Sequence, residues 1–246
     1  GIVRANRELA RQPLARAEVF GIIARLRLGL GDYREAMSLL DRQAAILATF
    51  GDDAPASLQL ESATQLGLAH RQLDNPRACI NVMQPMLERA RREQSQLPAQ
   101  VSEFYSQLAR CRSATGEFNT ARQLLEYSMT LRREVLDDEA GQVENLLDLA
   151  NVDADAGKTD AALRSLRNAL AQLQVRVGER HPLAIQLQRR IGTLLREQGK
   201  PDEAAKAIDA ALNLSVELLG DRHPTTLALH RQRAAVYMEQ GWLDVA

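Results

Sequence analysis

Apolar residues along this chain recur at three- and four-residue steps, in runs of about 17 residues, and the runs come in pairs. The clearest pair lies between His181 and Leu219. Leu187, Ile191, Leu194 and Leu195 mark one helix, and Ala204, Ile208, Ala211, Leu212 and Leu218 mark a second. A helix of about 17 residues is about 26 Å long. Pro182 fits the first turn of the first helix, where its missing N–H is no loss. That helix stops at Gly199, which can close it in the left-handed conformation without a Cβ clash. Pro201, Asp202 and Glu203 open the second helix, with the acids near its positive end. Gly192, one step beyond Ile191, predicts a point where a neighbouring helix comes close.

The same arrangement recurs along the whole chain. A Gly, four variable residues and an Ala join the two helices at Gly31–Ala36, Gly116–Ala121, Gly157–Ala162, Gly199–Ala204 and Gly241–Ala246. A degenerate copy runs from Asp74 to Cys79, and Asp accepts left-handed backbone more readily than most residues. Positions 36, 79, 121, 162, 204 and 246 are therefore spaced by 43, 42, 41, 42 and 42 residues. A repeat of this length signals a solenoid, in which each unit buries its apolar face against its neighbours. Phe20, Ala24 and Leu40 belong to the first pair's predicted core, as do Leu66, Gly67 and Met83 in the second. Tyr105, Leu108, Ala109 and Leu125 take these places in the third, and Leu149, Ala150 and Leu166 in the fourth. Residues Ile2 to Arg11 read as the tail of a second helix, and the pattern is cut at Ala246. The expectation is one solenoid domain over residues 1–246, a piece of a longer protein, with about five full helix pairs and partial terminal units.

Composition narrows the functions. With Lys+Arg 31, Asp+Glu 32 and a net charge of −1, the chain lacks the basic surplus that phosphate backbones require, which argues against nucleic acid. No apolar run approaches the roughly 20 residues needed to span a bilayer. Cys79 and Cys111 lie in separate apolar runs and read as buried free thiols in a reducing, cytoplasmic setting. No Gly-rich phosphate loop, His-Glu-x-x-His or Gly-x-Ser-x-Gly motif is present, so no enzymatic activity and no cofactor is expected. Asp52-Asp53 and Asp137-Asp138 fall in connecting loops and read as solvated. His181 and His223 occupy equivalent places in successive pairs, separated by about 8–10 Å of helix packing. They cannot share a metal ion through 2.1 Å bonds, and they read as helix-start residues beside Pro182 and Pro224. His70 reads as a packed core histidine.

The alternation of large and small residues (Ile23-Ala24, Leu149-Ala150, Ile191-Gly192), the Gly-to-Ala spacing and the helix pairing resemble the tetratricopeptide repeat. The 42-residue length and the loops Gly178-Glu-Arg-His-Pro182 and Gly220-Asp-Arg-His-Pro224 resemble its kinesin light chain type. The resemblance implies an all-α, right-handed α-solenoid of helix-turn-helix units that binds peptides or proteins on its concave face. It also implies, as one setting, the regulatory region of a bacterial signalling protein such as a serine/threonine kinase. Three residues depart from the pattern. Arg233, Asp153 and Arg112 stand where other pairs place large apolar side chains, and they predict either snorkelling or looser stacking.

The expected site is a surface on the first helices. Its stripes are Glu18, Gly21, Arg25, Leu28; Glu61, Thr64, Leu68, Arg71; Glu103, Ser106, Arg110, Ser113; Glu144, Leu147, Asn151, Ala154; Gln186, Arg189, Thr193, Arg196; and Ala228, Arg231, Ala235, Met238. The recurring Glu is accounted for by the helix dipole. Arg25, Arg71, Arg110, Asn151, Arg189, Arg196 and Arg231 form a ladder that could bond the carbonyls and carboxylates of an extended, acidic peptide; a solvated polar face is the alternative. Function is expected to be that of a non-enzymatic protein- or peptide-interaction scaffold. The alternatives are a sensor of a small ligand or pheromone peptide, and a structural self-assembly module. No oligomeric state is specified.

Overall fold

A computed structural model of the chain describes residues 9–239. The corner expected at Gly241–Ala246 and most of the Ile2–Arg11 segment lie outside the described residues. Two compact units are present, Gly1–Leu136 and Asp137–Ala246. Among the described residues the first unit contains α1 (Pro13–Gly29), α2 (Tyr33–Ala48), α3 (Ala56–Gln72), α4 (Pro76–Met83), α5 (Leu87–Glu93), α6 (Pro98–Ala114) and α7 (Phe118–Glu134). The second contains α8 (Glu139–Asp155), α9 (Thr159–Arg176), α10 (Pro182–Glu197), α11 (Pro201–Leu219) and α12 (Pro224–Glu239), and no strand occurs among the described residues. The helices form antiparallel pairs: α1 with α2, α3 with α4 and α5, α6 with α7, α8 with α9, and α10 with α11, followed by α12 as the first helix of a sixth pair. Each unit is thus a stack of two-helix hairpins, an all-α solenoid.

Every pair turns on the same corner. Gly31, Gly116, Gly157 and Gly199 have φ of 82, 84, 81 and 70°, and Asp74 takes the same region at 59°. This conformation brings the amide of the following residue back onto the helix. Asp32, Asn75, Glu117, Lys158 and Lys200 N–H donate to the carbonyls of Arg27, His70, Arg112, Asp153 and Leu195 at 2.8–2.9 Å. The bond spans six residues and satisfies a carbonyl the helix end would otherwise leave open. The charged departures reinforce it. Arg27 pairs with Asp32 at 2.7 Å, Arg112 pairs with Glu117, and Asp153 faces Lys158 at 3.9 Å. Arg112 and Asp153 therefore bridge the corner where Leu195 packs against the core. Arg233 instead reaches Asp209 at 3.0 Å and lies 5.1 Å from the Tyr237 ring. Hydrogen bonding to Tyr237 and the nearby Asp209 charge hold its guanidinium above its ordinary value. None of the three stands alone in the core.

Within each pair the close approach lies between the small residue of the first helix and the residue four beyond the corner Ala. A Cβ on Gly192 would stand 2.6 Å from Ile208 Cγ1, and one on Gly67 would stand 2.4 Å from Met83 Sδ. The equivalent pairs are Ala24 with Leu40, Ala109 with Leu125, and Ala150 with Leu166, all buried. Leu branches at Cγ and leaves room for a methyl on the facing helix, whereas Ile branches at Cβ and does not. The corner residues Ala36, Cys79, Ala121, Ala162 and Ala204 are fully buried.

Loop chemistry follows the sequence reading at the histidines and at Asp52 and departs from it at Asp138 and at the thiols. His181 is the N-cap of α10, its Nδ1 accepting the Leu183 amide at 3.2 Å, and His223 Nδ1 accepts the Thr225 amide likewise. Asp138 caps α8 through the Gly141 amide at 2.9 Å. Asp52 keeps its side chain fully in solvent, as the sequence reading has it, while meeting Arg89 of α5 at 3.3 Å. The larger correction concerns the thiols: Cys79 and Cys111 are joined in a disulfide, with Cα atoms 6.2 Å apart. Sequence separation conceals this contact, because the second helix of one pair meets the first helix of the next.

Gly192→Ala should cost about 1–3 kcal/mol through overpacking against Ile208. Ile208→Leu in the same chain should recover most of that loss, a non-additivity measurable by denaturant unfolding of the single and double variants. His181→Ala should cost about 1 kcal/mol by removing a cap, while His181→Asn should retain most of the stability in the same measurement.

Candidate interaction surface

First helices of successive pairs pack directly on one another in both units, α1 on α3, α3 on α6, and α8 on α10, and more closely than the second helices do. Shorter spacing on one side of a stack makes that side the inner wall. The first helices are therefore the more tightly packed side of the stack at these three junctions.

The predicted stripes divide on this wall. Gly21 and Ser106 are buried against the second helix of their own pair: Gly21 meets Gln43, and the Ser106 hydroxyl lies 2.9 Å from Ser128 Oγ. Leu28, Ser113 and Leu147 are also buried. The dipole account of the recurring Glu does not hold. Helices α1, α3 and α6 begin at Pro13, Ala56 and Pro98 and have no acid in their first turns, so Glu18, Glu61 and Glu103 stand at the sixth helical residue. Two of these Glu hold arginines. Glu61 binds Arg25 from α1 at 2.9 Å, and Glu103 binds Arg132 at 2.9 Å and Arg110 at 3.5 Å.

The seven ladder residues consequently differ in availability. Arg25 is exposed but ion-paired to Glu61. Arg110 is mostly buried beside Glu103, and Arg71 and Asn151 are half-buried. Arg196 meets Glu239 at 3.5 Å, helix α10 to helix α12. Arg189 and Arg231 are exposed and make no ion pair among the described residues. They occupy the same register on α10 and α12, with exposed Gln186 and half-buried Ala228 one turn earlier. The first unit's wall is thus largely charge-compensated, and the second unit's carries the available cations.

Sequence reasoning missed Arg132. It stands eleven residues beyond the corner Ala of its pair, where the other pairs carry Leu47, Ala90, Leu173 and Ser215, all buried. A charge at that register was the available signal. Arg132 is itself 4% exposed, and Glu103 fixes it across the hairpin. Also on the first unit, α1 exposes Ile22, Leu26 and Leu30 at 51, 65 and 74%. The residues equivalent to Leu26 on later first helices, Ala69, Cys111, Leu194 and Val236, are buried. This stripe is the stacking face of α1.

Among the described residues no cluster of His, Cys, Asp and Glu could hold a metal ion, and no helix is long and apolar enough to cross a membrane. The family model for the tetratricopeptide repeat matches residues 142–215 and 183–246. A kinesin light chain-like protein of Podosopora anserina, with nearly identical TPR-like repeats, superposes with a TM-score of 0.62 at 19% identity over 83% of this chain and 96% of its own. The fold of the chain is that of a tetratricopeptide repeat array. BtubC (BKLC) from P. vanneervenii gives 0.61 at 21% identity over 96% of this chain and 85% of its own. The Rap conjugation gene regulator of plasmid pLS20, solved in complex with the Phr* peptide, gives 0.68 at 14% identity over 89% of this chain and 62% of its own. No curated protein matches the sequence. The likeness to these kinesin light chain-like repeat proteins is one of fold.

Glu103→Ala should destabilise the chain by about 1–3 kcal/mol, because Arg132 is left buried without its main carboxylate. Replacing Arg132 by Leu, the residue at position 173 of the next pair, should remove most of that penalty in the double variant, read by thermal or denaturant unfolding.

Proposed function

We propose that this tetratricopeptide repeat array is a non-enzymatic scaffold that binds an extended, acidic peptide segment along its first-helix wall, chiefly through Arg189 and Arg231. The observation that carries this reading is the pair of exposed guanidinium groups, with no ion pair among the described residues, at one register of the first helices of successive pairs. Helices pack about 8–10 Å apart, and an extended peptide in the polyproline II conformation, with three residues per turn, advances about 3.1 Å per residue and brings every third side chain to one face. Carboxylates three residues apart would therefore meet successive arginines, and each planar guanidinium can bind one with two hydrogen bonds. Arg25, Arg71, Arg110, Asn151 and Arg196 have a secondary role in this reading: they set the polarity of the wall and contact backbone carbonyls of the peptide.

By resemblance we assign the array to the regulatory region of a larger bacterial signalling protein, such as a serine/threonine kinase. A second reading, a peptide sensor, draws on the shared fold of the Rap regulator, which was solved with a bound peptide. Both readings use the same wall. We keep the cytoplasmic placement within this proposal. The Cys79–Cys111 bond then belongs with the cytosolic disulfides that form and break rather than with permanent staples.

Fluorescence anisotropy of peptides bearing acids at every third position tests the reading. Affinity should fall at least about tenfold in Arg189→Glu and Arg231→Glu and weaken with salt. Equal affinity in the wild type and both variants would overturn it.

A further inference from the structure

The disulfide occupies a contact that the other junctions within each unit also contain. Cys79 stands at the corner Ala position, and Cys111 at the first-helix position taken elsewhere by Ala69, Leu194 and Val236. In the other junctions these two positions lie in one buried cluster: Ala36 with Ala69, Ala162 with Leu194, and Ala204 with Val236. A small side chain on the second helix of one pair thus always meets an apolar one on the first helix of the next. With Cys at both positions the Cα atoms are 6.2 Å apart, inside the usual range for a bridge. Two thiols would fill the same space as small apolar side chains. The fold of the junction is therefore available in both redox states, and the bond adds restraint without creating the contact.

The bond also falls at the pair whose corner lacks Gly and whose second helix is interrupted. Its corner residue is Asp74, held at φ 59° without the freedom of Gly. Its second helix is broken: α4 ends at Met83, a 3₁₀ turn covers Gln84–Met86 around Pro85, and α5 resumes at Leu87. Pro85 has no N–H and interrupts the helical ladder. Both sulfurs are fully buried, with Met83 Sδ 3.7 Å from Cys79 and Gln107 Nε2 3.6 Å from Cys111. Next to them an open hollow of about 440 Å³ is lined by Asp74 to Ala78, Ala114 and Thr115. Neither cysteine lines it; its lining stops one residue before Cys79 and one turn beyond Cys111, so a thiol held there reaches the bond only when α4 shifts.

We propose that Cys79–Cys111 is a reversible redox latch that pins the interrupted second helix, α4 and α5, to α6. Closing it follows thiol–disulfide exchange: the two cysteine thiols and a low-molecular-weight disulfide give the Cys79–Cys111 bond and two small thiols. The two electrons and two protons pass to the small disulfide. Opening is the reverse, with a thiolate entering from the hollow when α4 lifts. In the oxidised chain α4 and α5 are held as part of the stack. In the reduced chain they open locally while the rest of the array keeps its helices. The latch does not depend on the peptide reading.

The test compares the chain equilibrated with glutathione disulfide, the chain reduced with a dithiol, and the variant Cys79→Ala/Cys111→Val, which carries the residues of the Ala204–Val236 junction. Mass spectrometry after alkylation should find no free thiol in the oxidised sample and two in the reduced one. Amide hydrogen exchange across residues 76–93 should be at least about tenfold faster in the reduced chain and in the variant. Exchange across residues 182–219 should stay the same. Far-ultraviolet circular dichroism of the variant should match the wild type. Two alkylated cysteines after equilibration with glutathione disulfide would overturn the proposal. So would equal exchange over residues 76–93 in both redox states, and so would a rise spread evenly over the whole chain, which marks a global staple.

Discussion

The corner between paired helices is the constraint on which the rest depends. One residue in left-handed backbone ends the first helix, and the next amide bonds back to a carbonyl of that helix. This single hydrogen bond fixes where the second helix starts and how it lies on the first. A stack of hairpins then follows, because each hairpin leaves an apolar face that only another hairpin can cover. Where the corner is Gly the geometry carries little strain. At Asp74 it is imposed on a residue with a Cβ, and the disulfide lies on that same pair.

Polar side chains at core registers are tolerated here because each is answered locally. Arg112 and Asp153 reach across the corner to Glu117 and Lys158, parallel to the backbone bond. Arg132 finds Glu103, and Arg233 finds Asp209 and the Tyr237 ring. These pairings use up carboxylates and guanidinium groups that a linear reading counts as free surface. Among the described residues, a ladder of seven polar residues thereby reduces to two exposed cations without an ion pair, on α10 and α12. A binding wall in a solenoid is thus defined as much by what its own charges already satisfy as by which residues point inward.

The small-to-large pairing across each hairpin shows the same economy. Gly stands opposite Ile208 and Met83, and Ala stands opposite Leu40, Leu125 and Leu166. The repeat keeps the facing side chains complementary in shape, with the Cβ-branched Ile208 opposite Gly and the γ-branched Leu opposite Ala, as dense packing requires. Cys79 and Cys111 fill a junction contact that apolar side chains fill elsewhere, and their chemistry is added on top of it.

Helix pairs, corners and the solenoid class were legible in the chain, since they rest on local periodicity and on Gly, Pro and His placed at helix ends. The spacing near 42 residues recovered Asp74 as a corner even without its Gly. Contacts between neighbouring pairs were not legible. Cys79 and Cys111 are 32 residues apart, and Arg132 and Glu103 lie on different helices, so no local signal joins them. Glu61 and Glu103 looked like helix-start acids until the helix boundaries showed them at the sixth helical residue. Local backbone geometry is written in short stretches of sequence, whereas charge compensation and disulfide pairing depend on which side chains the stacking brings within a few ångströms.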